Sequence, residues 1–307
     1  MPTNARVVRR RIRSITSTRK ITKAMELVAG AKMRKAVAAV LATRPYSDVL
    51  WRAVRELSER VDPNHHPLLR RSGGSGRELT VVFSADRGLC GGINGRLVRA
   101  LDEASGGDWE GRDYAVIGRR GQQALRRRGA PVVASWPGIG HEPRVSDVLP
   151  VARLAIDDFG SGRYSGVSVA FTDFRSSLVQ EPRVRRLLPL SGVPSELGSA
   201  EDLDGRPLSV PGIGAESVTG EFLFEPSVDA VVSAILPRLV EVQLYQAMLE
   251  SLASEHSARM MAMRSASDSA GDMIQSLTLA LNQARQAAIT MEIAEISSGK
   301  AALEQNS

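Results

Sequence analysis

Residues 84–97, SADRGLCGGINGRL, carry the residue types closest to a recognisable chemistry. They follow an apolar run that reads as a strand and open a stretch that reads as a helix, a place where phosphate can rest on free backbone amides. The glycines Gly88, Gly91, Gly92 and Gly95 match neither the GxGxxG spacing of dinucleotide sites nor a GxxxxGK[ST] loop, and no lysine follows. Tight turning and close strand-to-helix packing account for them better. An autonomous nucleotide-using enzyme would rest on this loop alone.

Other reactive side chains are few. His65 and His66 are adjacent in a Pro/Gly/Ser-rich stretch without Cys or acids at metal-ligand spacing, so a solvated loop is expected there and no metal. The single cysteine, Cys90, excludes an internal disulfide, fits a reducing compartment and reads as a buried structural thiol. No cofactor is expected. No run of eighteen apolar residues occurs, so nothing in the sequence reads as spanning a membrane.

Charge is concentrated in one segment. Residues 6 to 35 hold eleven Lys or Arg against the one acid Glu26, a segment charge of +10 in a chain of +6, so the remainder is net negative. Lys and Arg in that number can neutralise phosphates without a sequence motif, so a basic coiled-coil nucleic-acid-binding protein is the alternative reading. The segment has no interleaved aromatics for base stacking, and that reading leaves the rest of the chain unexplained. An Arg-rich, acid-poor start also resembles an organelle transit peptide, but the helical pattern continues past residue 25 without a cleavage-like break.

The elements that hold these residues are two long helices. Beyond Pro237 no proline interrupts the chain and Gly271 is the one glycine before Gly299. The stretch from Arg238 to Ser298 would extend about 90 Å as a helix. Its apolar and small residues step by four and three: Ile235, Leu239, Val242, Gln246, Leu249, Ala253, His256, Met260, Met263, Ser267, Ala270, Ile274, Leu277, Leu281, Ala284, Ala288, Met291. That 3.5-residue seam is the spacing of left-handed supercoiling, and its many Ala, Ser and Met residues permit close backbone approach. Residues 4 to 60 form the second candidate: Val8, Ile12 and Ile15, then Ala29, Met33, Ala36 and Val40, then Leu50, Val54, Leu57 and Val61, with Arg19, Thr22 and Glu26 making the stripe polar and Pro45 expected to kink it. An antiparallel coiled coil is the simplest way to bury both seams.

Between the rods, apolar runs at 79–84, 114–118, 132–136 and 167–171 alternate with helical patterns at 92–104, 119–128 and 145–159, and FTDFRSSLVQEPRVRRLLPL reads as a hairpin. The alternation predicts a mostly parallel sheet with helices packed on it. The expected division is an N-terminal coiled-coil helix over 1–61, a linker over 62–77, an α/β foot over 78–190, a loop over 191–225 and a C-terminal coiled-coil helix over 226–307. Phe222, Phe224 and Glu225, just ahead of Pro226, form either an exposed contact or a packing contact with the α/β domain.

Three blocks, RRRIRSITSTRKITKAMELVAGAKMRKA (9–36), SADRGLCGGINGRL (84–97) and the long stretch from Ala253 to Leu303, together resemble the gamma subunit of the F-type, proton-translocating ATP synthase. The resemblance covers both ends and the middle in the right order. It implies an antiparallel coiled coil of the terminal helices with an inserted Rossmann-like α/β domain, acting as a rotor shaft that is not an enzyme on its own. Its implied partners are three α and three β subunits, epsilon and the membrane c-ring, with one copy per complex, no nucleic acid, and membrane contact only through the c-ring. The implied location is peripheral, on the cytoplasmic face of the bacterial cell membrane.

The resemblance also implies site residues. Lys23, Met25, Lys32, Arg34 and Lys35 would face acidic lever loops of the β subunits, and Arg285, Gln286, Thr290 and Glu292 match positions that contact their catch loops. Phe222, Phe224 and Glu225 match positions directed to the c-ring and epsilon. The chain departs from the family at Lys300, where alanine is usual after the final glycine, and in the length of 191–221. With Cys90 alone it lacks the cysteine pair of plastid forms.

Overall fold

The computed structural model describes residues 5–60, 66–70, 76–138, 143–190, 225 and 227–305. In chain order they form α1 (Ala5–Arg60), β1 (Glu78–Phe83), α2 (Ile93–Ser105), β2 (Arg112–Ile117), α3 (Arg119–Arg126), β3 (Val132–Trp136), α4 (Val145–Gly160), β4 (Gly166–Phe174), β5 (Gln180–Leu188) and α5 (Val228–Gln305). Helix α1 is unbroken through Pro45 and α5 through Pro237 and Gly299.

By contact the chain divides into two units, one of Met1–Val28 with Met260–Ser307 and one of Ala29–Arg259. The boundaries cross α1 and α5 and do not fall at the helix ends. The inner portions of both long helices therefore belong to the unit that contains the sheet.

In that unit the sheet order is β3-β2-β1-β4-β5. The β1–β2, β2–β3 and β1–β4 pairs are parallel, and β4–β5 is an antiparallel hairpin. Strands β1, β2 and β4 are largely apolar runs buried on both faces, as strands covered by helices must be, whereas the edge strands β3 and β5 are mostly half-buried. One face meets α2 and α3 around Val82, Leu97, Leu101, Tyr114, Val116 and Leu125. The other meets α4 and inner α5 around Val81, Phe83, Val151, Phe171, Leu239 and Leu244.

Turns at the strand ends depend on particular side chains. Gly118 has φ +95°, and a Cβ there would run into the Ser84 carbonyl. Ser84 Oγ in turn accepts the Gly121 N–H at 2.9 Å, so close strand-to-helix packing is a property of Gly118 and Gly121. Of the glycines singled out in the 84–97 loop, Gly91 does need its backbone freedom, at φ +58°, whereas a Cβ on Gly95 would meet nothing within 4 Å. The packing explanation therefore does not extend to Gly95.

At the opposite, amino ends of the strands, Asp113 accepts from Arg77 Nε at 3.0 Å and Nη2 at 2.6 Å, and from Tyr164 Oη at 2.9 Å. Burial and that hydrogen bond push the Tyr164 phenol up to about 12.

Candidate functional site

Within the unit formed by the terminal segments, burial follows the expected seam. On outer α5, Met263, Ser267 and Ala270 are buried and Ile274, Leu277, Leu281 and Ala284 are half-buried, while the positions between them, apart from Ala266 and Gly271, are exposed. On α1, Val8 and Thr22 are buried and Ile12, Ile15 and Met25 half-buried, again at steps near four and three. The polar stretch of the α1 stripe is accommodated by small partners: a Cβ on Gly271 would lie 3.4 Å from the Arg19 guanidinium carbon. Thr22 satisfies its own hydroxyl by donating to the Arg19 carbonyl at 3.0 Å.

The seam then stops. Ala288 is exposed, and Met291 is 67% exposed, so the expected continuation of the stripe through those two residues has no partner among the described residues. Both helices rise equally per residue, so counting outward from Arg19 beside Gly271 brings Ala5, the first described residue of α1, opposite Arg285.

Arg285, Gln286, Thr290 and Glu292 all lie on this bare end and are all exposed. Helical spacing puts Arg285 and Glu292 on one face and Gln286 and Thr290 on another, with the Thr290 hydroxyl donating to the Gln286 carbonyl at 2.9 Å. Between the two polar faces run Ile289, Ile293 and Ile296, all exposed. Apolar residues are also exposed on α1, where Val7, Ile21 and Val28 recur at multiples of seven away from the seam. Lys23, exposed, pairs with Glu26 at 2.9 Å on its own helix.

In the sheet-containing unit, Arg34 and Lys35 are exposed and Lys32 is half-buried. Lys32 lies near Glu255, whose carboxyl is pushed up by burial and held back by Arg259 and then Lys32. Arg259 Nη2 donates to Glu255 Oε1 at 2.6 Å, and its Nε and Nη2 donate to the Gly88 carbonyl at 3.4 and 3.3 Å. Cys90 packs beside them with Ala85, Ile93 and Ala258. Burial and the Glu255 charge push its thiol up, which keeps it protonated and a poor nucleophile.

Glu225 is exposed, and Phe222 and Phe224 lie outside the described residues. His65 lies outside them too. His66 accepts the Leu68 N–H on Nδ1 at 3.2 Å, and burial lowers its pKa. Among the described residues no cluster of His, Cys, Asp or Glu could hold a metal ion, and no helix is long and apolar enough to cross a membrane.

Glu255, Arg259 and the serines Ser251, Ser254 and Ser257 escaped the sequence reading. The three serines hydrogen-bond to β4 and the turn after it. Their i, i+3, i+6 spacing was a visible signal, but small polar residues on a helix usually mark a solvated face.

The sequence matches the family described as ATP synthase over residues 4–303. It is 43% identical to the ATP synthase gamma chain of Herpetosiphon aurantiacus, covering 98% of this chain and 99% of that one. It is 40% identical to that of Pelotomaculum thermopropionicum, covering 97% and 99%. The fold is similar to a rotor chain of the Euglena gracilis mitochondrial ATP synthase, with TM-score 0.60, 14% identity and coverage of 93% and 98%. It is also similar to a central stalk/c-ring chain of the Tetrahymena thermophila enzyme, with TM-score 0.59, 22% identity and coverage of 80% and 99%.

Proposed function

Because the chain belongs to the family of ATP synthase gamma chains, we infer that it is the central rotor shaft of an F-type ATP synthase. It is a non-catalytic subunit that couples proton flow through the membrane sector to ATP synthesis by turning inside a ring of α and β subunits. The nucleic-acid-binding reading of the basic helix is thereby set aside.

The observation that carries this reading is the bare end of α5. Isoleucines that no described residue covers are costly in water, and a sleeve of partner protein that covers them while allowing rotation removes that cost. We place three α and three β subunits around it. Arg285, Gln286, Thr290 and Glu292 then contact the catch loops of the β subunits, through polar bonds of modest net strength that can break and re-form at each step. Lys23, Met25, Lys32, Arg34 and Lys35 face acidic lever loops of the β subunits, where attraction is screened by salt outside a narrow cavity and less so within it. Phe222, Phe224 and Glu225 face epsilon and the c-ring. One copy sits in each complex, at the cytoplasmic face of the bacterial membrane, held there through the c-ring.

Affinity purification of the tagged chain from its membranes, with identification of what comes with it, tests the reading. Recovery of α, β, epsilon and c-ring subunits is expected. A chain recovered alone, or with nucleic acid in place of those subunits, would overturn it.

A further inference from the structure

In a sheet of order β3-β2-β1-β4-β5 the chain leaves β1 toward β2 on one side and leaves β4 toward β5 on the other, so the switch-point crevice lies beyond the carboxyl ends of β1 and β4. Open α/β sheets bind their ligands at that position. Here the chain fills the crevice itself. Strand β1 pairs with β4 only as far as Val82 and Ala170, whereas β4 continues against β5 to Phe174. Opposite Thr172 on β5 stands Pro182, which has no N–H to offer.

Helix α5 supplies the missing partners. The Thr172 N–H donates to Ser251 Oγ at 3.2 Å, and Ser254 Oγ donates to the Thr172 carbonyl at 3.1 Å. One turn further, Ser257 Oγ donates to the Ser177 carbonyl at 2.7 Å and accepts from Gln180 Nε2 at 3.4 Å. On the β1 side, the Arg259 guanidinium holds the Gly88 carbonyl, and Ala258 packs with Ala85, Cys90 and Ile93.

The spacing of the serines has a mechanical meaning. Residues three apart advance about 4.5 Å along a helix and about 60° around it. Three such bonds therefore resist rolling as well as sliding. Apolar packing is non-directional and yields to roll, while hydrogen bonds weaken steeply with angle.

We propose that Ser251, Ser254 and Ser257 form a torsional clamp, by which the α/β domain turns as one body with α5. The proposal rests on the rotor reading above. The clamp occupies the crevice in which other open α/β sheets seat a ligand, and the serines are positioning residues without a part in the chemistry.

The test uses the assembled complex in membrane vesicles with Ser251→Ala, Ser254→Ala and Ser257→Ala combined. Alanine preserves the helix, so the hydroxyls alone are removed. Two quantities are read: amide hydrogen exchange across residues 170–178, and the ratio of ATP-driven proton uptake to ATP hydrolysis. Exchange at Thr172 is expected to quicken by about tenfold or more as its buried backbone loses both partners. The uptake-to-hydrolysis ratio is expected to fall by roughly threefold while hydrolysis itself stays near the wild-type rate.

Faster exchange with an unchanged ratio would overturn the clamp, as would unchanged exchange. A parallel fall in uptake and hydrolysis would mean general destabilisation and would also overturn it. If the triple variant does not assemble, Ser257→Ala alone is judged by the same two readouts. Failure of the rotor reading is separable, since it would appear as no ATP-driven uptake in the wild-type complex.

Discussion

From Leu239 to Arg259 no residue of α5 is exposed, whereas from Met260 onward the same helix is covered along one stripe, and from Arg285 to Ser298 along none. The inner stretch is nevertheless the more polar of the buried regions, with Gln243, Gln246, Glu250, Ser254, Ser257 and Arg259 all inside. Most of those groups are tolerated because they find partners, whereas Gln243 Nε2 meets none among the described residues. Gln246 donates to Glu250 at 3.0 Å and accepts from Thr43 at 2.8 Å, and the serines bond to β4 and the turn beyond it. The outer stretch needs no such network, since one face meets a helix and the rest meets solvent. A single unbroken helix thus serves as a core element in one unit and as half of a two-helix seam in the other.

Truncating matched leucines should expose the contrast most strongly. Leu239→Ala is expected to cost about 2–5 kcal/mol, because Leu239 is wholly enclosed, while Leu277→Ala on the half-covered seam should cost less than about 1.5 kcal/mol. Denaturant unfolding measures both, and equal costs would break the comparison.

Next in size is overpacking of the seam. Ser267 is 4% exposed, so Ser267→Trp should destabilise by about 1–3 kcal/mol and impair assembly, while Leu279→Trp on the open face should change stability by less than about 0.5 kcal/mol. Similar melting of the two variants would show that the seam is not close-packed at Ser267.

A smaller effect of opposite sign is expected at Gly271. The nearest atom to an added Cβ is the Arg19 guanidinium carbon at 3.4 Å, an ordinary contact with a flexible side chain, so Gly271→Ala should stabilise by about 0.5–1 kcal/mol. A drop in melting temperature would mean that the two helices approach more closely there.

The least change in melting belongs to removal of the chain from Gln286 onward, within about 0.5 kcal/mol, since the described side chains there bury nothing against the rest of the chain. Proton-driven ATP synthesis by the assembled complex should nevertheless weaken. Unimpaired synthesis would count against the role proposed for that end.

The outer seam was legible because a helix with one partner repeats its burial every three or four residues, and Met263, Ser267, Ala270, Ile274, Leu277, Leu281 and Ala284 do so. The strands were legible as apolar runs between turn residues, with boundaries within a few positions at 79–84 against Glu78–Phe83 and 167–171 against Gly166–Phe174. The inner seam was read too narrowly. Val240, Leu244, Ala247 and Met248 are buried as fully as the predicted Leu239, Leu249 and Ala253, because sheet contacts cover faces that a two-helix seam leaves open. The glycines of residues 84–97 drew attention to that loop, but no local signal identified Arg259 as the residue that holds its Gly88 carbonyl.

By itself the sequence determined two long helices, the alternation of strand and helix between them, the concentration of positive charge in α1 and the family of the chain. All of these are written in local periodicity, composition or extended motifs. Only the tertiary structure decided that α5 would occupy the crevice between β1 and β4, and that Ser251 and Ser254 would complete a strand edge left open beyond Ala170 while Ser257 holds the turn after it. The reason is that a backbone group's need for a partner depends on where the neighbouring strand ends, and the partner that meets it here lies about eighty residues away in the chain.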